Sequence, residues 1–533
     1  MHSMLRVSVA LVLIFCTLQV AAQQLVFGSF RSEENAVNWA GKLATTFGTE
    51  MTTTRINRQG VVFHRVQTKP LSDQELQRLT RQAQSAGIEY WRLDERGQAS
   101  AGVLQPPSNN PRLTPPARIV RAEPAEKVSK SRPAEPISVA TTDGIGRDQV
   151  DFQVGMESRW FGNDGLLDGD QFTGSINFQA EYYRAWANDR KSLTVTPYLR
   201  WDSADSRRSH ADLREFFYSY VGSDWDLHVG AKRVFWGVTE FHHLVDIINQ
   251  TDLVENIDGE DKLGQPMIQY STIRDWGVLD VYALTGFRER TFASTEGRLT
   301  LPFHIDNDAV YESGAEEYRV DGAIRWSHHI GPVEFGIHHF SGTSREPMLL
   351  PYARGAEIGL IPYYPVIDQT GVDAQAILGD WALKFEGLSR SGFGERYSAF
   401  NIGFERTLVG IFDSNADLGL VGEYMFDDRG EAASNTLFEN DIALGGRLAL
   451  NDFADTQALL GFIYDADHGN YVVSLEASRQ LSETWHLNVE GRIFAGGKAV
   501  RRNLAYLVLT EPEYKSSWLR EEDYLQIEFV KYF

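Results

Sequence analysis

The last ten residues, Tyr524-Leu525-Gln526-Ile527-Glu528-Phe529-Val530-Lys531-Tyr532-Phe533, decide how the rest of the chain is interpreted. Counted back in twos from Phe533, they give Lys531, Phe529, Ile527 and Leu525, whereas the positions between mix polar and apolar residues. Successive side chains of a strand point to opposite faces, so this run predicts a strand with one mainly apolar face. Strands of transmembrane barrels alternate in this way because one face meets lipid and the other meets water. A closing strand of a soluble sandwich is the alternative.

The same run resembles the C-terminal assembly signal of bacterial outer-membrane barrels, which has a final aromatic residue and hydrophobic residues at every second position before it. Lys531 departs from the usual apolar choice, although a lysine near a strand end can extend its ammonium group to the membrane interface. The resemblance implies that the protein resides in the bacterial outer membrane.

Composition narrows the classes of protein that remain. The chain has 533 residues, with 51 Lys and Arg against 73 Asp and Glu, for a formal net charge of −22. Nucleic-acid binding depends on clustered basic residues, so nucleic acid is not an expected partner. No apolar run reaches the eighteen or so residues that a membrane helix needs, so a membrane protein with this sequence must cross as a closed barrel.

The first 22 residues predict a secretory signal peptide. Arg6 supplies the basic start, residues 7–18 the apolar core, and Val20-Ala21-Ala22 a small-residue cleavage site. Cys16, the single cysteine, lies within this segment. The mature chain is therefore expected to contain no disulfide and no cysteine-ligated metal.

Residues 23–95 predict a small α+β domain with the order βαββαβ. Strand-like runs begin near Leu25, Met51, Val61 and Ile88, and helix starts occur at Ser32-Glu33-Glu34 and Ser72-Asp73-Gln74-Glu75. Short motifs of this segment are Phe27-Gly28-Ser29-Phe30, Asn35-Ala36, Lys42-Leu43, His64-Arg65-Val66 and Ala86-Gly87-Ile88. They resemble the sporulation-related repeat, or SPOR domain.

The resemblance implies that this domain binds glycan strands of peptidoglycan in the periplasm. Candidate contacts are Phe30, Tyr90 and Trp91, which would stack on sugar rings, and Arg65 and Gln67, which would form hydrogen bonds. The sequence differs from the family at Val26, where glutamine is usual, and at Lys69, where a turn glycine is usual. The alternative for the aromatic residues is that they fill the core between sheet and helices.

Residues 96–148 predict a proline-rich linker. Eight of the chain's 18 prolines lie here: Pro106, Pro107, Pro111, Pro115, Pro116, Pro124, Pro133 and Pro136. Such a composition cannot bury enough apolar surface to fold. At ~3 Å per residue in the polyproline conformation, the linker is expected to reach on the order of 150 Å.

Residues 149–533 predict an all-β transmembrane barrel of about 16–18 antiparallel strands. Sixteen alternating runs are predicted as strands. Residues 374–388 are predicted as one continuous strand, and no strand is predicted between Val234 and Gly277. Short connections, such as 329–332 and 465–470, alternate with the long ones at 288–316, 341–362, 427–436 and 495–520. Aromatic residues near run ends, including Trp160, Tyr198, Trp201 and Trp381, suit interfacial girdles.

Residues 235–266 are the least strand-like part of the predicted barrel. Glu240, His243 and Asp246 have the spacing of one helical face, which makes a metal site conceivable. We favour an inward-folded constriction loop or an extracellular lid, whose carboxylates bias a pore towards cations. The candidate constriction residues are Glu240, His243, Asp246, Glu255, Asp258, Glu260 and Asp261.

These patterns predict a porin-like outer-membrane channel for small solutes, joined to peptidoglycan through the periplasmic N-terminal domain. The expected partners are outer-membrane lipid, glycan strands and small solutes. A plugged barrel that only tethers the outer membrane to the wall, and a polysaccharide export barrel, are the alternatives. No motif of catalysis or cofactor binding is present, so we expect neither enzymatic activity nor a cofactor. The sequence does not determine the oligomeric state.

Overall fold

The computed structural model describes residues 24–30, 33–58, 61–85, 91–93, 147–355, 357–429 and 438–533. The chain divides into two compact units, residues 1–107 and 108–533. The predicted signal peptide, Tyr90 and most of the predicted linker lie outside the described residues. No helix in the described part of the chain is both long enough and apolar enough to cross a membrane.

The N-terminal unit has the predicted order βαββαβ. Its elements are β1 (Gln24–Phe30), α1 (Glu33–Phe47), β2 (Met51–Arg58), β3 (Val61–Thr68), α2 (Asp73–Ser85) and β4 (Trp91–Leu93). The sheet has the strand order β2-β3-β1-β4 with antiparallel pairing throughout. Ser72 caps α2 as predicted, because its hydroxyl accepts from the backbone N–H of Glu75 at 3.4 Å while its own backbone N–H donates to the Glu75 carboxylate at 3.1 Å.

One face of this sheet carries the core of the unit. Leu25, Phe27 and Val66 pack with residues of both helices, among them Leu43 and Leu79. The neighbouring positions on β3 therefore point to the opposite face.

The larger unit is a closed barrel of 18 strands, as predicted. The barrel strands are β5 (Arg147–Phe161), β6 (Phe172–Trp186), β7 (Lys191–Asp202), β8 (His210–Val221), β9 (Trp225–Lys232), β10 (Gln265–Arg274), β11 (Gly277–Leu284), β14 (Asp321–Ile330), β15 (Val333–Thr343), β18 (Val366–Leu378), β19 (Trp381–Ser391), β20 (Tyr397–Leu408), β21 (Asp417–Asp427), β22 (Asn440–Ala449), β23 (Gln457–Asp465), β24 (Asn470–Ser482), β25 (Trp485–Gly496) and β26 (Tyr524–Tyr532). Each strand is antiparallel to the previous barrel strand, and β26 closes the barrel against β5.

The long connections contain a second, smaller sheet. Its strands are β12 (His304–Ile305), β13 (Val310–Tyr311), β16 (Met348–Arg354) and β17 (Glu357–Tyr364), and a short helix, α3 (Leu507–Thr510), lies in the last connection. Sequence periodicity did not predict these elements, since two-residue strands are too short to show alternation.

Two differences explain how sixteen runs become 18 strands. The run at 374–388 is two strands, because Gly379 and Asp380 form a two-residue turn in which Gly379 has φ = +65°. Strand β10 was not predicted because its alternation begins directly after a long acidic loop.

The barrel has a turn end and a loop end. The turn end carries the connections 187–190, 222–224, 275–276, 331–332, 379–380, 409–416, 450–456 and 483–484, together with the start of β5 and the chain terminus. The loop end carries the connections 162–171, 203–209, 233–264, 285–320, 344–365, 392–396, 428–439, 466–469 and 497–523. The predicted alternation of short and long connections is present, but the short connection near 465–470 lies at the loop end.

The two faces of the barrel wall differ in polarity. Exposed outward residues are large and apolar, for example Ile176, Ile268, Ile402, Leu444, Leu460, Leu525 and Phe529. Buried inward residues are polar or charged, for example Asn177, Gln269, Gln369, Glu386, Asn401, Asn488 and Glu528. This is the arrangement of a barrel whose outside meets lipid. Trp160, Trp201 and Trp381 face outward as predicted, whereas Tyr198 is buried inside the barrel.

Candidate functional site: a segment that crosses the barrel

Residues 233–264, which connect β9 to β10, lie inside the barrel and contact its wall. We call them the crossing segment. It contains no helix, so Glu240, His243 and Asp246 do not share a helical face, and that part of the sequence interpretation was wrong. The segment is irregular because buried wall side chains hydrogen-bond to its backbone in place of a regular repeat.

The root of the crossing segment is fixed by an apolar cluster. Val234, Trp236, Val245, Ile247 and Ile248 are buried against inward residues of the neighbouring wall. The wall residues of this cluster are Met267, Tyr282, Leu284, Ala323, Phe340 and Ile367. Burial of these side chains holds the start of the segment beside β10, β11, β14, β15 and β18.

A buried carboxylate on β19 accepts four hydrogen bonds from the segment. Glu386 Oε1 accepts from the backbone N–H of Val238 at 2.6 Å, the backbone N–H of Thr239 at 2.9 Å and the Thr239 hydroxyl at 2.7 Å. Its Oε2 accepts from the backbone N–H of Val245 at 3.2 Å. The barrel wall thus supplies the acceptors that a regular secondary structure would otherwise provide.

A second carboxylate, Glu423 on β21, holds the tip of the same arm. It accepts from the backbone N–H of Glu240 at 2.5 Å and from that of Phe241 at 2.9 Å. The Phe241 ring lies over Gly461 of β23 and Gly445 of β22, where an added Cβ would come within 2.8 and 2.9 Å of the ring. Two glycines therefore provide the space that the ring occupies.

These contacts show that the segment spans the lumen. It starts between β9 and β10, and Phe241 contacts β22 and β23, which are the ninth and tenth of the 18 strands counted from β10. The tip of the first arm therefore reaches the opposite wall.

The predicted carboxylates are paired with cations. Glu240 forms ion pairs with Arg447 and with Lys384, the latter at 3.5 Å. Asp246 pairs with Lys262 at 3.2 Å. Glu240 and Asp246 therefore have different partners, and the three residues considered for a metal do not form one ligand set.

His243 and Glu260 form an ion pair within the segment, with 3.1 Å between Nε2 and Oε1. Burial alone would lower the pKa of His243, but the carboxylates of Glu260, Glu386 and Asp246 outweigh burial and raise it to about 9. Burial lowers the pKa of the adjacent His242 to about 4, so the two histidines carry different charges at neutral pH.

The second half of the segment is held by arginines of the near wall. Glu255 pairs with Arg200 at 2.8 Å and with Arg214 at 3.5 Å, and Arg214 also pairs with Asp252 at 2.8 Å. Burial opposes the ionisation of Glu255, but Arg200, Arg214 and Arg208 hold its pKa well below the usual range. His210, Asp252 and Glu255 have metal-like proximity, yet the guanidinium groups already neutralise both carboxylates.

The remaining candidate residues, Asp258 and Asp261, also hold the second half of the crossing segment. Asp258 pairs with Arg492 of β25 at 3.2 Å, and the side chain of Asn256 donates to Glu490 at 3.1 Å. Asp261 contributes its backbone oxygen, which accepts from the N–H of Asp252 at 2.7 Å. The segment therefore also contacts β25, on the wall beside the barrel seam.

The crossing segment leaves a narrow space inside the barrel. A small pocket lies between Asn256 and the wall, next to Glu476, Asn488, Glu490 and Glu528. Beside it, inward side chains of β22 and β24 keep partial exposure: 27% for Arg447 and 16% for Glu476. The exposed part of the inner wall therefore includes β22 and β24.

Sequence reasoning missed the wall partners: Glu386, Glu423, Lys384, Arg200, Arg214, Arg447 and Arg492. Strand parity contains part of the signal, because charged residues that alternate with outward apolar residues must face the lumen. Parity cannot show which of these residues meets the crossing segment, since the partners are up to 234 residues apart in sequence.

The candidate glycan-binding residues are placed only in part. Val66 packs in the core beneath the helices, so Arg65 and Gln67 lie on the other face of the sheet. Arg65 is buried and Gln67 is half-buried, with its amide 3.5 Å from Gln24 Oε1. The side chains of Phe30 and Trp91, like the whole of Tyr90, lie outside the described residues.

Comparison with known proteins gives similarity in fold to outer-membrane barrels. No protein-family model matches the chain, and no curated protein matches it. Among solved structures, OccAB1 of Acinetobacter baumannii is 9% identical, with a TM-score of 0.43 over 73% of this chain and 96% of that one. OccD3 (OpdP) of Pseudomonas aeruginosa is 9% identical, with a TM-score of 0.42 over 72% of this chain and 90% of that one.

Wzi of Escherichia coli, described as a carbohydrate-binding β-barrel involved in group 1 capsule assembly, is 9% identical. Its TM-score is 0.41 over 71% of this chain and 83% of that one.

Proposed function

We propose that this protein is an outer-membrane channel for small solutes whose passage is narrowed by its own crossing segment. The observation that supports the proposal is an 18-strand barrel, apolar outside and polar inside, with one internal segment spanning the lumen. A barrel of this strand number is wide enough for an aqueous lumen unless something fills it. The proposed path follows the inner face of β22 and β24, where Arg447 and Glu476 keep partial exposure.

The paired charges modify the expected selectivity. The candidate constriction residues form ion pairs with cations or with each other, as the contacts of Glu240, His243, Asp246, Glu255, Asp258 and Glu260 show. An ion pair has little net charge for a passing solute to sense. The proposed channel is therefore expected to be less cation-selective than seven unpaired titratable groups would make it.

A closed barrel that serves as a membrane anchor is the second candidate. Inward polar residues such as Ser271, Gln369 and Asn401 have 0–1% exposure, which favours a filled lumen at their level. Conduction by the full chain separates the two functions, because a barrel that is filled by its own crossing segment passes no ions while that segment is in place.

Single-channel recording of the full chain in planar bilayers tests the proposal. We expect small, steady conductance from the full chain and larger conductance from a variant that lacks residues 237–264. Heat-modifiable migration on a gel would confirm that both barrels are folded. If the folded full chain does not conduct, whether or not the shortened variant does, the channel proposal is wrong and the anchor remains.

We also propose that the N-terminal unit attaches the barrel to peptidoglycan from the periplasm. Support comes from the βαββαβ order and from the position of Arg65 and Gln67 on the sheet face away from the helices. The full chain in detergent should sediment with purified sacculi, and the double variant Arg65→Ala, Gln67→Ala should sediment at least threefold less. Arg78→Ala, on the exposed side of α2, is the matched control. Equal sedimentation of all three proteins would contradict this attachment.

A further inference from the structure

Two phenylalanines project from neighbouring turns at the turn end of the barrel. Phe412, in the connection 409–416, is 95% exposed, and Phe453, in the connection 450–456, is fully exposed. Val409 of the first turn is also exposed. Large apolar side chains grouped on a surface indicate a contact site, because their exposure to water is unfavourable. We call Val409, Phe412 and Phe453 the turn-end patch.

The two turns are joined to each other, which fixes the patch in one arrangement. The side-chain amide of Asn451 donates to the backbone oxygen of Asn415 and to the carboxylate of Asp417, both at 2.8 Å. Asp417 in turn accepts from the backbone N–H of Gly410 at 2.9 Å. The patch therefore exists before any partner binds, so binding orders little additional chain.

The backbone of Phe412 is held in an unfavourable conformation. Its φ of 54° and ψ of 34° lie in the left-handed region, which bulky side chains rarely adopt. Such a residue costs on the order of 1 kcal/mol or more.

Carboxylates surround the patch. Asp413 and Asp455 are exposed, and Asp452 lies next to Phe453, with Arg479 as a partner at 3.2 Å. An anionic rim of this kind disfavours insertion among anionic lipid headgroups and favours a cationic partner.

The chain itself contains a segment of complementary chemistry. Residues 112–132, outside the described residues, hold Arg112, Arg118, Arg121, Lys127, Lys130 and Arg132 against Glu123 and Glu126, for a net charge of +4. The same segment carries Leu113, Pro115, Pro116, Ile119 and Val120. It thus combines apolar side chains with cations, as the patch combines apolar side chains with carboxylates.

Residues 112–132 are connected to the turn end of the barrel, and the chain between them and β5 is long enough for them to reach the turn-end patch. It leads into β5, which starts at Arg147 at the turn end. The 14 residues from 133 to 146 span at most ~50 Å when extended. At ~5 Å between neighbouring strands, the four to seven strand spacings from β5 to the patch amount to ~20–35 Å before strand tilt is considered.

We propose that residues 112–132 dock on the turn-end patch, with Leu113, Ile119 and Val120 against the phenylalanines and the basic residues against the carboxylate rim. The docked segment would leave only residues 94–111 as free spacer between the N-terminal unit and the barrel. This inference concerns the turn end and is independent of whether the lumen conducts.

Disulfide trapping in the full chain tests the docking, because Cys16 can be replaced by serine to give a cysteine-free background. Ile119→Cys is combined with Ala454→Cys, next to Phe453, or with Ser223→Cys in the connection 222–224. Ser223 is exposed at the same end and is closer to β5 along the rim than Ala454 is. A free tether therefore predicts trapping at Ser223 at least as fast as at Ala454.

We expect trapping at Ala454 at least tenfold faster than at Ser223. Adding Phe412→Ser and Phe453→Ser should reduce the Ala454 rate to that of Ser223. Equal rates in the parent pairs would overturn the proposal. Quenching of a bimane label on Phe453→Cys, in the cysteine-free background, by nitroxide-labelled lipid in reconstituted protein would also overturn it, because the patch would then lie in the membrane.

Discussion

Removing the Glu386 carboxylate should release the first arm of the crossing segment. Glu386→Ala eliminates the acceptor of four hydrogen bonds, three of them from backbone N–H groups of Val238, Thr239 and Val245. At ~1 kcal/mol net for each hydrogen bond, the docked arm loses about 4 kcal/mol, which is roughly a 1,000-fold change in the ratio of docked to released arm. Released N–H groups regain hydrogen bonds with water, so the lumen should widen.

Single-channel conductance measures this release, and Glu405→Ala is the matched control. Glu405 is also a carboxylate of the inner wall and pairs with Lys384 at 3.4 Å. Within the part of the chain that the structure describes, it accepts no hydrogen bond from the backbone of the crossing segment. We expect larger conductance or higher open probability from Glu386→Ala and wild-type behaviour from Glu405→Ala. If folded Glu386→Ala conducts like the wild type, the wall carboxylates do not hold the constriction and the reasoning fails.

Three further predictions concern other contacts of the crossing segment. Arg200→Met removes a guanidinium that pairs two buried carboxylates, so the temperature at which the barrel loses its folded gel mobility should fall, consistent with a cost of ~3–5 kcal/mol. Because the pKa of His243 is raised, its ion pair with Glu260 stabilises the segment fully below about pH 6.5 and is lost as the pH rises through about 9. Tryptic cleavage in the segment should therefore increase over this pH range. The variant His243→Gln should abolish this pH dependence of cleavage. Gly461→Ala places a methyl group 2.8 Å from the Phe241 ring, so it should increase conductance, whereas unchanged conductance would show that the ring can move aside without effect.

Alternation in the sequence was sufficient to predict the barrel because the rule behind it is local. A side chain on a strand faces lipid or lumen according to its parity, and Tyr524–Phe533 shows that parity without knowledge of its neighbours. The same rule failed where local signals were weak: Gly379-Asp380 was too short to separate two strands, and β10 was hidden by the acidic segment before it.

The crossing segment shows the limit of such reasoning. Its composition was sufficient to single it out and to select Glu240, His243 and Asp246 as residues of interest. Their partners could not be predicted, because Glu386 and Glu423 are brought to the segment only when the barrel closes and places the opposite wall across the lumen.

The sequence by itself determined a closed antiparallel barrel and the approximate number of its strands. Each of these follows from the two-residue period of a strand and from the need to satisfy backbone hydrogen bonds in lipid. Only the tertiary structure decided that the lumen is crossed and that the predicted carboxylates are paired. The contacts that cross the lumen, such as Glu386 with Thr239 and Arg492 with Asp258, join residues more than a hundred positions apart, and no local pattern specifies which pairs meet once the sheet has closed.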